Sequence, residues 1–388
     1  MDRRLQFVAE YLTGLYTMTE LAAAYGVSRR IGYYWVNLYQ REGAGRLAGA
    51  SRRPHTSPNA TAPAVVDRIV AASHAHPTWG AGKLRDWVRL QAPQQPWPCR
   101  DTFHVILQRH GRVRQRPRRR RALHPPPHLV APTRPNLVWT ADYKGEFRTR
   151  DGCWCYPFTL RDGYSRFVLR CTALPTHDGP ATRREFTRAF HTFGLPDRIR
   201  TDNGPPFGGP GLARLSRLAV WWLRLGIHPE RITPRHPEQN GSHEQFHRVL
   251  KQATTRPPAT TVRAQQRRFD RFRTEYNHER PHDAVGHVPP ASHYRPSPRP
   301  FPATVPPLDY PGAWPTRRVS IAGQITWRSR ALFLSEVLAG QDVALEPIDD
   351  GLALVRFATI ALARFDERRW QLLPLLPAVA ASAGPHSS

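Results

Sequence analysis

Three carboxylates in this 388-residue chain sit where a negative charge is costly unless something holds it. Asp142 falls inside the strand-like run LVWTADYKGEF. Asp202 ends a short run, IRTD, just before Asn-Gly-Pro-Pro. Glu244 opens a helical stretch after Asn240-Gly241. An ionised side chain within a strand of an α/β sheet is expensive unless it is paired or binds a cation. Three converging hard oxygen donors suit Mg2+ or Mn2+, which retain water and accept phosphate oxygens. Two such ions about 3.5–4 Å apart can clamp the attacking and leaving oxygens of a phosphodiester, so no protein nucleophile is required. On this reading Asn203-Gly204-Pro205-Pro206 stiffens the turn that aims Asp202. The plain alternative is ordinary Asp-Asn-Gly turn chemistry.

Bringing the three together sets conditions on the elements. The pattern from residue 137 predicts β-β-β-α-β-α-β-α: strands at LVWTADYKGEF, on either side of Asp162-Gly163, at DRIRTD and at IHPERITP, with helices between and after. Open sheets hold their sites at the strand ends. If the first and fourth strands are neighbours, Asp142 and Asp202 share one edge, and the last helix carries Glu244 over them. His247, Arg248 and Lys251 follow Glu244 by three, four and seven residues and share its face. Phe246, Val249 and Leu250 turn to the core. Asp162 reads as a hairpin turn residue, Trp221 and Trp222 as core, and Glu146 and Asp178 as surface. Arg280-Pro281-His282 reads as a strap at the site's edge.

Charge names the partner class. Fifty-seven Lys and Arg against 30 Asp and Glu leave a formal charge of +27, which points to a polyanion and chiefly to nucleic acid. No apolar run is long enough to span a bilayer, and the first residues lack a signal-peptide layout, so a cytoplasmic, nucleoid-associated setting is expected. Four cysteines form no C-x-x-C pair or zinc set. Residues 1–50 predict a helix-turn-helix: Thr17 and Glu20 make a capping box, Gly26 breaks the helix, and Ser28 caps the next one. That helix starts with Arg29 and Arg30 as DNA contacts and repeats Ile31, Trp35 and Leu38. A linker (51–61) leads to a second helical DNA-binding module (62–111). Residues 112–136 form a basic, Pro/Arg-rich linker in which Arg118, Arg119, Arg120 and Arg121 can track phosphates. The mixed-sheet core spans 137–261. A helix with Phe269, Phe272 and Tyr276 buried, then the strap, fill 262–300. A small β-barrel is expected over 315–366 and a disordered tail over 372–388.

The ordered set WTADYKGEF, DGYSRFVL, RTDNGPPF, HPEQNGSHEQFHRVLK and YNHERPHDAVGHVPPASHY, with the strand-rich tail, resembles the integrase-type DDE transposases of bacterial insertion sequences. The likeness runs from the first helices to about residue 366. It implies a multidomain α/β protein with a ribonuclease-H-like core whose catalytic, metal-holding triad is Asp142, Asp202 and Glu244. Glu244 is preferred to nearby Glu238 because the family's glutamate follows Asn-Gly and precedes an aromatic-His pair. Lys251 is placed like the basic residue the family uses to hold DNA near the metals. Arg248 and Asn203 are further expected DNA contacts. His247 is either another or an ordinary helix-surface histidine. The resemblance implies Mg2+ or Mn2+, two ions, double-stranded DNA with inverted-repeat ends, and a homo-oligomer in a nucleoprotein complex. Three departures stand out: Gln245 where arginine is common, a longer Asp202–Glu244 interval with its surplus in GGPGLARLSRL, and the Arg- and Pro-rich linker. The rival readings are a catalytically inactive DNA-binding descendant and a nuclease on RNA–DNA hybrids.

Overall fold

The structure, a computed structural model, describes residues 3–47, 58–113, 129–209, 211–233 and 241–375. The expected Arg118–Arg121 phosphate contacts and the rival Glu238 lie outside these residues. The chain divides into two compact units, Met1–Ala62 and Pro63–Ser388.

The first unit contains helices α1 (Arg3–Leu12), α2 (Met18–Tyr25), α3 (Arg29–Glu42) and α4 (Ala44–Leu47). The capping box forms as expected: the Glu20 amide donates to Thr17 Oγ1 at 3.3 Å, and the Thr17 amide donates to Glu20 Oε2 at 2.7 Å. Gly26 ends α2 in the left-handed region, and Ser28 caps α3. Phe7, Val8, Met18, Leu21, Val36 and Leu47 form the core. Of the stripe expected on α3, Trp35 and Leu38 pack against this core and one member does not. Ile31 is exposed, and Gly32 and Val36 face inward. A β-carbon on Gly32 would come within 2.5 Å of Met18 Sδ and 2.8 Å of Phe7 Cζ. A missing side chain at 32 thus sets which face of α3 packs. Arg29 and Arg30 are exposed at its start.

The second unit begins with α5 (Pro63–Ala75), α6 (Ala81–Gln91) and α7 (Arg100–Arg109), packed around Ile69, Leu84, Val88, Phe103, Ile106 and Leu107. The central sheet follows: β1 (Val138–Tyr143), β2 (Phe147–Arg148), β3 (Trp154–Asp162), β4 (Val168–Leu174), β5 (Arg198–Thr201) and β6 (His228–Arg231). β3 lies between β1 and β4 and pairs antiparallel with both, while β1, β5 and β6 run parallel; the two-residue β2 pairs with the start of β3. Helices α8 (Gly179–Phe193) and α9 (Arg217–Arg224) follow β4 and β5, and α10 (Gly241–Thr254) follows β6. Apart from β2, this is the expected order. Phe158, Leu160, Phe186, Phe190, Ile199 and Trp222 form one core cluster. Phe246 and Leu250 of α10 pack with Phe269, Phe272 and Tyr276 of α11 (Val262–His278) against Cys155, Val168 and Cys171 in another.

Asp162 ends β3 at the expected hairpin, where its carboxylate caps the turn. It is fully buried, accepting from the Asn136 amide at 2.8 Å and from the Ser165 amide and hydroxyl at 2.7 and 2.6 Å. Register places it opposite Trp139, three residues along β1 from Asp142 and so roughly 10 Å from it.

The C-terminal strands are β7 (Thr316–Arg318), β8 (Gln324–Trp327), β9 (Arg330–Phe333), β10 (Asp342–Asp349), β11 (Leu352–Phe357), β12 (Ile360–Asp366) and β13 (Gln371–Leu373). They form an antiparallel sheet in the order β13-β12-β11-β10-β7 plus the hairpin β8-β9. No pairing among the described residues closes the expected barrel. A strand also reaches past 366, to Leu373, where a loose tail was expected. Val319, Leu338, Val343, Val355 and Phe365 of this region belong to the same apolar cluster as Trp222 and Ile199. Arg224 on α9 also donates to Gln341 Oε1 at 2.8 Å.

Candidate active site

β1 and β5 pair in parallel with Thr140 opposite Arg200. Continuing that register by two residues brings Asp142 opposite Asp202 at the carboxyl ends of both strands. β1 can end in a carboxylate because its first half, Val138, Trp139 and Ala141, is buried and anchors the strand. Past β5 the chain turns tightly: the amides of Phe207 and Gly208 both donate to the Gly204 carbonyl. A β-carbon at Gly208 would lie 2.2 Å from the Asn203 carbonyl oxygen, so the turn needs glycine there. Phe207 anchors it in the core.

Asp142 feels the charge of the other two predicted acids. Burial, followed by the charge of Asp202, pushes Asp142 up to about 7; Glu244 also raises it, against a hydrogen bond from the Tyr143 amide. Burial likewise raises Asp202, opposed by the Gly204 amide. Asp202 Oδ1 is buried without a hydrogen-bond partner. Glu244 is exposed in the first turn of α10.

Beneath the carboxylates lies a hydrogen-bond hub that the sequence did not reveal. Thr159 sits opposite Asp142 across β1 and β3 and donates its single hydroxyl proton to the Asp142 carbonyl at 2.9 Å. The same hydroxyl oxygen meets His243 Nε2 at 2.7 Å and His247 Nε2 at 2.8 Å. With its proton committed, Thr159 can only accept from both imidazoles. Each ring therefore carries its proton on Nε2 and presents a lone pair on Nδ1. Burial keeps both neutral: His243 titrates well below its ordinary value, and His247 is lowered to about 3, with Lys144 and Arg161 adding to the effect. His243 Nδ1 is engaged by the Thr140 hydroxyl at 3.0 Å. His247 Nδ1 faces Asp142 Oδ2 at 3.8 Å. Asp142, His243 and His247 are close enough to ligate one ion, but both ring nitrogens of His243 already face threonine hydroxyls, whereas His247 Nδ1 faces Asp142. His247 is thus turned inward beside Asp142, and neither a helix-surface nor an outward DNA-facing position describes it. The His-x-x-x-His spacing of 243 and 247 was the available signal.

The remaining predicted residues are spread around this point. Lys251 and Arg248 are exposed on α10. Lys144, not anticipated, lies close by: burial lowers its pKa, and Lys251 and Arg256 lower it further. Together they give the carboxylates a basic rim. Asn203 uses its side-chain amide to hold the Ile232 carbonyl at 2.7 Å, so it braces the Asp202 turn against the end of β6.

Oxygen-rich and buried in part, with an unpartnered carboxylate oxygen and one imidazole nitrogen turned inward, the site fits a divalent cation by its donor chemistry.

Comparison with known proteins finds family models that match parts of the chain. The integrase core domain matches residues 132–237 and again 225–290. The leucine-zipper of insertion element IS481 matches residues 3–74. The 39.2 kDa protein of insertion element IS476 from Xanthomonas euvesicatoria is 28% identical over 254 residues, 63% of this chain and 70% of its own length. The 31.7 kDa protein of insertion element IS407 from Burkholderia multivorans (strain ATCC 17616 / 249) is 24% identical over 260 residues, 66% of this chain and 90% of its own. Among solved structures, the HTLV-2 integrase catalytic core domain in complex with magnesium covers 42% of this chain and 99% of its own, at 15% identity and a TM-score of 0.34. The simian T-cell lymphotropic virus intasome chain covers 79% and 98%, at 17% identity and a TM-score of 0.37. No helix among the described residues is long and apolar enough to cross a membrane.

Proposed function

We propose that this chain, an insertion-element transposase of the integrase-core type, cleaves phosphodiester bonds at the ends of its element and joins the freed 3′-OH to target DNA. One observation carries this reading: the buried Oδ1 of Asp202 has no hydrogen-bond partner, beside a buried Asp142 that the charges of Asp202 and Glu244 both disfavour. Such repulsion is tolerated where a cation is to be held.

Asp142, Asp202 and Glu244 would hold two Mg2+ or Mn2+ ions, with His247 Nδ1 as a nitrogen donor that tilts the set toward Mn2+. When bound, the ions stabilise charge on the attacking and leaving oxygens of an in-line displacement. The chain's own residues do the rest. Thr159 fixes the tautomer and aim of His247. Lys144, Lys251 and Arg256 draw the DNA backbone to the rim, and Arg248 extends the contact along α10. On a ribonuclease-H-like reading of the sheet, Asp142 and Asp202 would share one edge beneath Glu244 of α10, and the exposed start of α3 would offer Arg29 and Arg30 to the element's inverted repeats. Joining two ends requires at least two protomers on one DNA complex.

The test is a labelled duplex bearing the element's end, incubated with the full chain and Mg2+ or Mn2+, beside an RNA–DNA hybrid of the same sequence. Nicking of the duplex to a 3′-OH, followed by joining, is the expected result. Binding without cutting under either ion would leave a DNA-binding descendant, and cutting of the hybrid alone would leave a hybrid nuclease.

Thr159→Val tests the hub. Removing a hydroxyl that orients a ligand typically costs about 10–100-fold in metal affinity. Titration calorimetry with Mn2+ should show about tenfold weaker binding by a variant that still melts cooperatively. Unchanged affinity would place His247 outside the metal shell.

A further inference from the structure

Helix α10 has a second working face. Glu244, His247 and Lys251 lie on the carboxylate side, while Ser242, Gln245 and Val249 line a separate cavity of about 290 Å³ on the opposite side of the helix. Lys83 from α6, Arg161 from the end of β3, Arg166 from the β3–β4 connection, and Arg280 and His282 from the strap complete its walls, with Asp283 as the one acid lining it. Arg161 is the unusual member. It is 2% exposed and stacked 4.7 Å over Phe246; one guanidinium nitrogen donates to the Ser242 carbonyl at 2.9 Å, and its buried Nε has no partner among the described residues. Arg166 donates to the Ser242 hydroxyl at 2.7 Å. Lys83 reaches the Pro281 carbonyl at 2.9 Å and the exposed Asp283 at 3.3 Å. The buried Nε2 of His282 also lacks a hydrogen-bond partner. His282 registers the assembled charge: burial lowers it to about 2, and Lys83, Arg280, Arg161 and Arg166 each push in the same direction.

Buried Asp162 acts on Arg161 and Arg166, and Asp283 on Lys83, yet the buried Nε of Arg161 still has no partner, and an entering anion would supply one. A larger cavity of about 750 Å³ between α6, α7 and the strap shares Lys83, Arg280 and Asp283, and adds Arg85 paired with Asp86, then Arg100 and Arg112 with Asp101. The basic walls therefore continue from the helical module to the catalytic helix.

We propose that the smaller cavity is a phosphate pocket that holds one backbone phosphate of the DNA strand engaged at the carboxylates. This rests on the DNA reading above. The two faces of α10 are about 10 Å apart, one helix diameter, so a strand leaving the metal site can cross the start of α10 and seat a following phosphate against Arg161 and Arg166. Ser242, whose carbonyl and hydroxyl both receive these arginines, fixes them to the same helix that carries Glu244.

The experiment measures DNA affinity of the full chain against salt concentration, in EDTA, for wild type, Arg166→Gln and Lys83→Gln. Arg166→Lys serves as the milder variant if Arg166→Gln melts early. Thermal unfolding with inorganic phosphate, against chloride at equal ionic strength, runs alongside. We expect each glutamine variant to bind DNA about tenfold more weakly, to lower the slope of log affinity against log salt by about 1, and to lose a phosphate-induced rise in melting temperature seen in wild type. Wild-type affinity and slope in both variants would overturn the proposal. If the phosphate effect alone were lost, the pocket would serve free phosphate, which equally overturns the DNA assignment. Failure of wild type to bind any DNA would instead overturn the functional reading beneath it.

Discussion

Asp202→Asn is expected to abolish strand cleavage while making the metal-free protein harder to melt. The carboxylate is held above its ordinary pKa by burial, one of its oxygens is buried without a partner, and its charge adds to the strain on Asp142. Replacing it with a neutral amide removes that repulsion, worth about 1–2 kcal/mol by analogy with other uncompensated buried charges. In a unit of this size that corresponds to a rise of roughly 2–6 °C. Divalent ions reverse the order. Wild type gains about 2.7 kcal/mol at an ion concentration a hundredfold above Kd, and a variant lacking a ligand gains far less. Losing the several kcal/mol of transition-state stabilisation that a correctly held ion supplies should slow cleavage by at least about 10³-fold, with duplex binding retained. Melting curves with and without Mn2+, beside the cleavage assay, check both halves. A variant that melts lower without metal, or that still cuts, would remove Asp202 from the site.

Binding of a divalent ion should release about one proton at pH 6 and almost none at pH 8. Asp142 lies at about 7 in the folded protein against an ordinary 3.8, so near pH 6 the apo site keeps its proton and a ligand oxygen must give it up. The sign for stability follows from the same shift. A carboxylate whose folded pKa is raised binds more protons folded than unfolded, so its contribution is fully present below about pH 4 and is lost as pH rises through 7. With the side chain 20% exposed, the loss amounts to about 2–4 kcal/mol. Calorimetry of Mn2+ binding in buffers of different ionisation enthalpy reads the proton count. The difference in pH-stability curves between wild type and Asp142→Asn isolates this group from the other acids. Equal proton release at both pH values would mean that Asp142 is already ionised in the apo site.

Much of the arrangement was legible because it follows from local pattern. Alternation marked β1 and the turn marked the end of β5, and the strand order made neighbours of Asp142 and Asp202. Helical spacing put Glu244, His247 and Lys251 on one face. What escaped depends on register and packing. Thr159 acquires its role only by standing opposite Asp142 across two strands, which no spacing within one segment encodes. His247 shared a face with Glu244 as expected, but it sits at the border of that face with the buried side of α10, where His243 and Phe246 lie, and its ring reaches in to Thr159. Asp162-Gly163 carries a turn signature, yet the residues after it fold back so that Ser165 and Asn136 close over the carboxylate. At Ile31 an apolar side chain lost its place in the core to the empty space at Gly32. Short strands with Asp-Gly turns read alike whether they meander or close, because closure depends on shear between strands, and the C-terminal sheet stays open among the described residues.

The apolar cluster that runs unbroken from Ile199 through Trp222 to Val343, Val355 and Phe365 also bears on how such a gene decays. Ile199 lies on the strand that delivers Asp202, and the far side of its support is contributed by codons well beyond the last acid. A late frameshift would spare every charged residue at the reactive edge and still withdraw the buttress behind it. For a mobile element, a premature stop near the 3′ end of the reading frame is therefore as disabling as a lesion among the acids themselves.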